Sequence, residues 1–99
     1  LKQRYVRFSP TALQDLNRIF TTIQHTAGQK IALSYLERFQ AYCQGFALAG
    51  ERGTRHDDIR PGLRVIGFER RLTLAFMVEG DEVVFLRIFE AGRNWQDEV

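Results

Sequence analysis

The stretch LTLAFMVEGDEVVFLRIF (residues 72–89) decides the fold. Leu72, Leu74, Phe76 and Val78 alternate with Thr73, Ala75 and Met77, which is the two-residue period of a pleated strand. Gly80-Asp81 supplies a tight turn, after which Val84, Leu86 and Ile88 alternate with Val83, Phe85, Arg87 and Phe89. So short a connection makes the two strands antiparallel. Upstream, residues 63–68 read as another strand, joined through Glu69-Arg70, so three strands form a meander. One alternating set must cover a neighbouring layer, yet the opposite set is also rich in apolar groups. A sheet with a single buried face would carry polar residues on its other side. Strict alternation puts Met77, Phe85 and Phe89 on the spare face, with Arg87 beside them. We read this face as a surface for a partner. The alternative is cover by the preceding loop, the C-terminal segment or a dimer mate.

The layer on the other face comes from the first half of the chain. Tyr5 to Phe8 reads as a short strand, ended by Ser9-Pro10. Serine at the N-cap and proline at the first helical position start a helix, because that proline lacks only an N–H that would be orphaned anyway. Leu13, Leu16, Phe20 and Ile23 then share one stripe, with Ile19 beside it, up to a stop near Thr26-Ala27-Gly28. A second helix carries Ala32, Tyr35, Leu36, Phe39, Tyr42, Cys43 and Phe46 on one face. The short link between them predicts an antiparallel hairpin. The spacing predicts Leu36, Phe39 and Phe46 buried against Leu74, Phe76 and Leu86, or against their neighbours one step along. Between the halves, residues 49–62 lose the apolar rhythm and form a polar loop, long for so small a domain. The fold class is therefore α+β, in the order β-α-α-β-β-β, with a helical hairpin packed on a small antiparallel sheet as a single domain over residues 1–99.

Composition narrows the function. Ninety-nine residues make one domain able to bury a core without metals or disulfides. The apolar runs are too short for a membrane span, and no signal-peptide pattern opens the chain. With one cysteine, Cys43, and no such signals, a cytoplasmic protein is expected. The chain begins at Leu1 rather than methionine, so at least one residue is expected to precede it. The net charge of +2 is too small to argue for nucleic acid, and no specific DNA binding by this chain alone is expected. The distribution says more. Twelve of the fourteen basic residues are arginine, and six of them lie between Arg52 and Arg71. Forked guanidinium donors suit carboxylate or phosphate partners.

Catalytic chemistry is sparse. Two histidines and one cysteine form no metal-ligand pattern, so no metal or other cofactor is expected. Asp57-Asp58 is read as pairing with nearby arginines rather than binding a cation. His56, flanked by Arg52, Arg55 and Arg60, is the one candidate general base for phosphodiester cleavage, and a solvated histidine among charges is the preferred reading.

Several stretches are nevertheless specific in their order and spacing. They are Ser9-Pro10-x-Ala12, Gly50-Glu51-Arg52-Gly53, Ile59-Arg60-Pro61-Gly62-Leu63-Arg64, and Arg87-Ile88-Phe89-x-x-Gly92-Arg93-x-Trp95. Together with the element order, they resemble the ParE branch of the ParE/RelE toxin superfamily over essentially the whole chain. The resemblance implies a toxin of a type II toxin–antitoxin system involved in plasmid stabilisation. It would inhibit DNA gyrase by protein–protein binding and be held by a ParD-like antitoxin in a hetero-oligomer with two or more copies of each. The RelE branch implies instead a ribosome-dependent mRNA endonuclease, and a third possibility is a toxin fold that only binds its antitoxin. In the nuclease branch a late arginine is followed by an aromatic acid–base residue. Here Arg93 is followed by Trp95, which exchanges no proton, and Thr73 stands where a second strand arginine is expected. The reading is therefore a binding protein, not an enzyme. Arg60, Arg64, Arg93 and Trp95 are the candidate contacts to gyrase. Met77, Phe85, Arg87 and Phe89 are the candidate contacts to antitoxin. No role is assigned to Asp97-Glu98-Val99.

Overall fold

A computed structural model describes residues 3–99, so the chain's opening at Leu1 lies outside the described residues. The elements are β1 (Tyr5–Phe8), α1 (Pro10–Ala27), α2 (Gln29–Gln44), β2 (Thr54–Arg55), β3 (Leu63–Phe68), β4 (Leu72–Glu79) and β5 (Glu82–Glu90). Short 3-10 turns follow α2, at Gly45–Ala47, and close the chain, at Trp95–Asp97. Helix α1 starts as its sequence dictates. Ser9 Oγ accepts from the Ala12 N–H at 3.0 Å, and Pro10 occupies the first turn. Gly28, at φ 97°, both stops α1 and precedes α2, so the hairpin link is a single residue.

The sheet has five strands in the order β1-β5-β4-β3-β2. The three-stranded meander is as expected, but the sheet as a whole is mixed rather than antiparallel. Strand β1 lies parallel to β5, with Tyr5 opposite Glu82 and Phe8 opposite Phe85. Local alternation alone does not show which edge a first strand will join. The long loop also contributes a two-residue strand, with Thr54 opposite Val65 and Arg55 opposite Arg64.

A β-bulge corrects the strict alternation read from the sequence. Ala75 pairs with Arg87, whereas Phe76 pairs with Phe85, so β5 carries one extra residue, Leu86. The side-chain phase of β5 therefore changes halfway along. Val83, Phe85 and Ile88 all face the helices, while Leu86 and Phe89 belong to the opposite face. Phe85 is fully buried among Phe8, Phe46 and Phe76, at ring distances of 5.0 to 5.6 Å, and is not on the spare face.

The helix-side core is aromatic. Phe39 and Phe46 are buried as predicted, with Leu74 and Phe76 beneath them. Two other expectations are corrected. Leu36 is only partly buried and lines a groove rather than the core, and Leu86 joins the far face. Phe85, one step along from Leu86, takes the place in the helix-side core that the spacing also allowed. Helix α1 is also rotated from the expected stripe. Its buried line runs Ala12, Asp15, Ile19, Ile23, leaving Leu13 54% exposed. A carboxylate, Asp15, thus occupies a core position.

The far face is not left open. Leu63, Ala75 and Phe89 form a second small core, closed by Ile59 from the loop and by Trp95 and Val99 from the C-terminal segment. Cover from within the chain, the alternative to a partner surface, is what the structure has. The loop itself is stapled down. Arg52 donates to the Ala49 and Gly45 carbonyls at 2.6 and 3.0 Å, and its guanidinium lies over the Phe46 ring at 4.3 Å. A side chain at Gly50 would meet Val83 Cγ2 at 2.8 Å, and one at Gly53 would meet the Val65 carbonyl oxygen at 2.6 Å. The Gly50-Glu51-Arg52-Gly53 stretch is thus explained by close backbone approach and helix capping.

Candidate functional site: an arginine surface beneath the C-terminal segment

Strand β5 is covered by β1 only along its first half. Beyond Phe85 its edge would expose unpaired backbone groups, and α1 supplies the partners. Ser9 Oγ donates to the Leu86 carbonyl at 2.8 Å, and the Ile88 N–H donates to Asp15 Oδ2 at 3.0 Å. The same carboxylate takes two bonds from Arg87, Nε to Oδ2 at 2.8 Å and Nη2 to Oδ1 at 3.2 Å. This bidentate pair, with a weaker contact from Arg18 at 3.4 Å, accounts for the buried Asp15. The Asp15 carboxylate holds the Arg87 guanidinium above its ordinary pKa.

Arg87 lies over the face of Phe89 at 4.7 Å, and Arg93 lies near the same ring at 5.6 Å. One buried aromatic ring thus carries two guanidinium groups. Arg93 grips Glu98 through two charge-assisted bonds, Nε to Oε2 at 2.7 Å and Nη2 to Oε1 at 2.6 Å. Arg87 Nη1 also donates to the Glu98 carbonyl at 3.0 Å. The Arg93 hydrogen bonds pull the Glu98 carboxyl below the ordinary glutamate range. Arg60 lines the adjoining hollow, of about 320 Å³, with Ser9, Thr11, Leu86, Arg87, Glu98 and Val99. Trp95 packs edge-on against His56 at 4.9 Å, so the loop histidine is drawn to the same side of the molecule.

The four candidate target contacts do not form one group. Arg60, Arg93 and Trp95 belong to this far-side surface. Arg64 stands opposite Phe76 on the helix-facing side of the sheet, in a hollow with Glu51, Arg55, Gly62 and Val78. Of the candidate antitoxin contacts, Phe85 and Phe89 have no exposed side chain, Arg87 is bound to Asp15, and Met77 is half-buried. The signal missed in the sequence was Asp15, an acid at helical spacing between Ala12 and Ile19. Glu98, left without a role, holds two arginines. Asp57 accepts from the Gly62 N–H at 2.8 Å and pairs with Arg55 at 3.0 Å, as expected for a loop carboxylate. Among the described residues no cluster of three or more His, Cys, Asp or Glu side chains could hold a metal, and no helix is long and apolar enough to cross a membrane.

An apolar groove runs along the outer side of the hairpin, lined by Phe20, Thr21, Gln24, Ala32, Leu33 and Leu36. Leu33 is 55% exposed there, and neighbouring Ile31 is 57% exposed.

An antiparallel helix pair on a five-stranded mixed sheet makes this a small α+β protein. The family model described as "ParE toxin of type II toxin-antitoxin system, parDE" matches residues 6–95, and the chain belongs to that family. A curated relative, Toxin ParE3 of Caulobacter vibrioides, is 30% identical over 91 residues, covering 92% of this chain and 89% of the relative. Among solved structures, a chain of the chromosomal ParDE toxin–antitoxin system from P. aeruginosa superposes with a TM-score of 0.76 at 22% identity, covering 90% of this chain and 97% of that one. A chain of the RelBE2 toxin–antitoxin complex of Mycobacterium tuberculosis gives 0.55 at 19% identity, covering 94% and 97%. The fold is thus common to both toxin branches, and fold alone does not separate their activities.

Proposed function

We propose that this ParE-type toxin acts without catalysis, by binding DNA gyrase in the cytoplasm, and that a ParD-like antitoxin neutralises it in a hetero-oligomer with two or more copies of each chain. The observation that carries the non-catalytic reading is the state of Arg93. Its guanidinium is engaged by the Glu98 carboxylate of its own chain, and Trp95, two positions on in sequence, exchanges no proton. A phosphodiester here would meet a late arginine already paired with a carboxylate. Purified protein should inhibit gyrase supercoiling, and expression without antitoxin should induce a DNA-damage response. Unimpaired supercoiling together with translation arrest would reject the proposal.

The antitoxin is proposed to lay an apolar helix face into the hairpin groove, where Leu33 and Leu36 are within reach of a partner. The sheet-face contacts inferred from alternation are withdrawn in its favour, because Phe85 and Phe89 are spent on the toxin's own two cores. A Leu33→Asp change should leave the fold intact and weaken the complex by about 2 kcal/mol or more if it is a central anchor. Unchanged titration calorimetry would move the interface elsewhere.

One observation favours the second reading, an mRNA endonuclease. His56 packs against Trp95, on the side of the molecule that bears Arg87 and Arg93. Ribosome-dependent cleavage abolished by His56→Ala would establish it.

A further inference from the structure

We propose that the corner formed by Arg38, Arg71 and the Tyr35 hydroxyl, beside the β3–β4 turn, binds a doubly charged phosphate group, free or as a monoester. Tyr35 is 4% exposed, and its hydroxyl oxygen is buried with no hydrogen-bond partner among the described residues. Buried polar groups are nearly always paired, so an orphan of this kind marks either a cost or a ligand. The charges of Glu69, Arg71 and Arg38 all act on the phenol, which places its hydroxyl end at this corner. Burial, followed by the Glu69 charge, raises the phenol above its ordinary pKa of 10.0, so it stays a donor.

Two guanidiniums bear on the same ring, with the Arg38 and Arg71 Cζ atoms 5.3 and 5.5 Å from its centroid. They are held differently. Arg38 is paired with Glu69 and donates to Ser34 Oγ at 3.0 Å. Arg71 has no side-chain hydrogen bond or ion pair among the described residues, only the Tyr35 ring beside it. Arg70, at the turn tip, also lacks one, although its φ of 58° costs strain. A strained residue with no contact of its own points to function rather than stability.

Charge selects the ligand. Glu69 is the one acid ion-paired at this corner among the described residues, so three arginines leave two positive charges unmatched. A carboxylate or a phosphodiester brings one negative charge, whereas a phosphate monoester brings about two near pH 7. Its oxygens also suffice for both guanidinium forks and the Tyr35 hydroxyl together. The hydroxyl is reached once Glu69 releases Arg38. That pair keeps 39% and 52% of its side-chain surface in solvent, and ion pairs so placed hold weakly.

The inference stands apart from gyrase and antitoxin. It is tested on the full chain by amide NMR titration at constant ionic strength with inorganic phosphate, methyl phosphate, dimethyl phosphate and acetate. Inorganic phosphate or methyl phosphate should shift the signals of residues 35, 38 and 69–71 saturably, and bind more tightly than the two singly charged anions. Preference for methyl phosphate assigns the site to a carried monoester, and preference for inorganic phosphate assigns it to the free ion. Arg71→Gln, which breaks only the ring contact, should weaken binding about tenfold or more. Glu69→Gln should tighten it about two- to fivefold, because the internal competitor is gone. Tyr35→Phe deletes only an unpaired hydroxyl, so it should raise the thermal midpoint of the free protein yet weaken phosphate binding several-fold. A Tyr35→Phe protein that binds phosphate as tightly as the parent overturns the proposal. So do equal binding of all four anions and shifts that fail to saturate.

Discussion

Arg87 on β5 and Asp15 on α1 are 72 positions apart in sequence and joined by a bidentate ion pair, the closer bond 2.8 Å long. The pair does more than neutralise charge, because the Asp15 carboxylate also receives the Ile88 N–H where the sheet edge would otherwise be bare. Removing the acid leaves a largely buried guanidinium and a backbone donor unpartnered at once. Asp15→Ala should therefore cost about 3–5 kcal/mol of stability, measured by urea denaturation. Asp15→Asn, which keeps one acceptor, should cost less. A loss under about 1 kcal/mol for the alanine variant would mean that water replaces the carboxylate.

The aromatic core and the groove should respond differently to truncation. Phe39 is fully buried and packs against Phe8, Phe20 and Phe68, so Phe39→Ala should cost about 3–5 kcal/mol. Leu36 lines the groove, and Leu36→Ala should cost clearly less than the 2–5 kcal/mol range of a buried leucine, about 1 kcal/mol. Equal losses in parallel denaturation curves would place Leu36 in the core after all.

The difference between those two residues marks where sequence reading reached its limit. Helical periodicity selects a face some 100° wide, and both Leu36 and Phe39 fall within it. Which of them meets the sheet depends on how the hairpin sits, and that is set by α1, rotated so that Ala12 and Asp15 point inward. Strand boundaries and the helix start at Ser9-Pro10 were legible because turn and cap chemistry is local. The bulge at Leu86 was not, since an extra residue in one strand leaves no local mark, and it moved Phe85 to the opposite face. The arginine surface was half legible. Arg60, Arg93 and Trp95 were named, but their organisation depends on Glu98 and Asp15, whose partners lie elsewhere in the chain.

Cys43 is 1% exposed, and burial pushes its thiol pKa up to about 12. The thiolate is the reactive form, so the native protein should resist alkylation at pH 8. Labelling should appear only in denaturant, at a rate that tracks unfolding. Rapid modification of the folded chain would show that α2 opens locally.

The β3–β4 turn holds Glu69 and Arg70 at φ 50° and 58°, both in the left-handed region. Such turns favour Asn-Gly, and a non-glycine residue there carries a cost of about 1–2 kcal/mol. Glu69 is retained by its bidentate pairing with Arg38, at 2.9 and 3.1 Å. Arg70 makes no such pair among the described residues, so Arg70→Gly should raise stability by up to about 1 kcal/mol, with part of the relief offset by glycine's greater unfolded-state entropy. A lower thermal midpoint would show that Arg70 contributes a contact in solution.

Glu98 is held below its ordinary pKa of 4.5 by the hydrogen bonds from Arg93. A depressed folded-state value means that the contribution is fully present above pH 4.5 and lost as pH falls through the lower, folded value. Carboxyl NMR titration should therefore give Glu98 a midpoint below 4.5, and Arg93→Gln should restore it upward. A midpoint at or above 4.5 in the parent chain would mean that the tail is detached in solution.

The parallel pairing of β1 with β5 has a consequence for how this protein is made. Its first strand hydrogen-bonds to its last, and Asp15 lacks its bidentate partner until residue 87 exists. A ribosome adding about 5–20 residues per second needs roughly 3–12 seconds to travel from the end of α1 to Arg87. Throughout that interval the hairpin has no complete sheet to close on, and Phe8 and Phe46 lack Phe85. Folding consequently waits for β5, with large loop-closure entropy to overcome. A nascent chain interrupted before β5 contains both helices and most of the sheet, yet has nowhere to dock its N-terminal strand. A copy terminated before β5 should therefore lack the native fold.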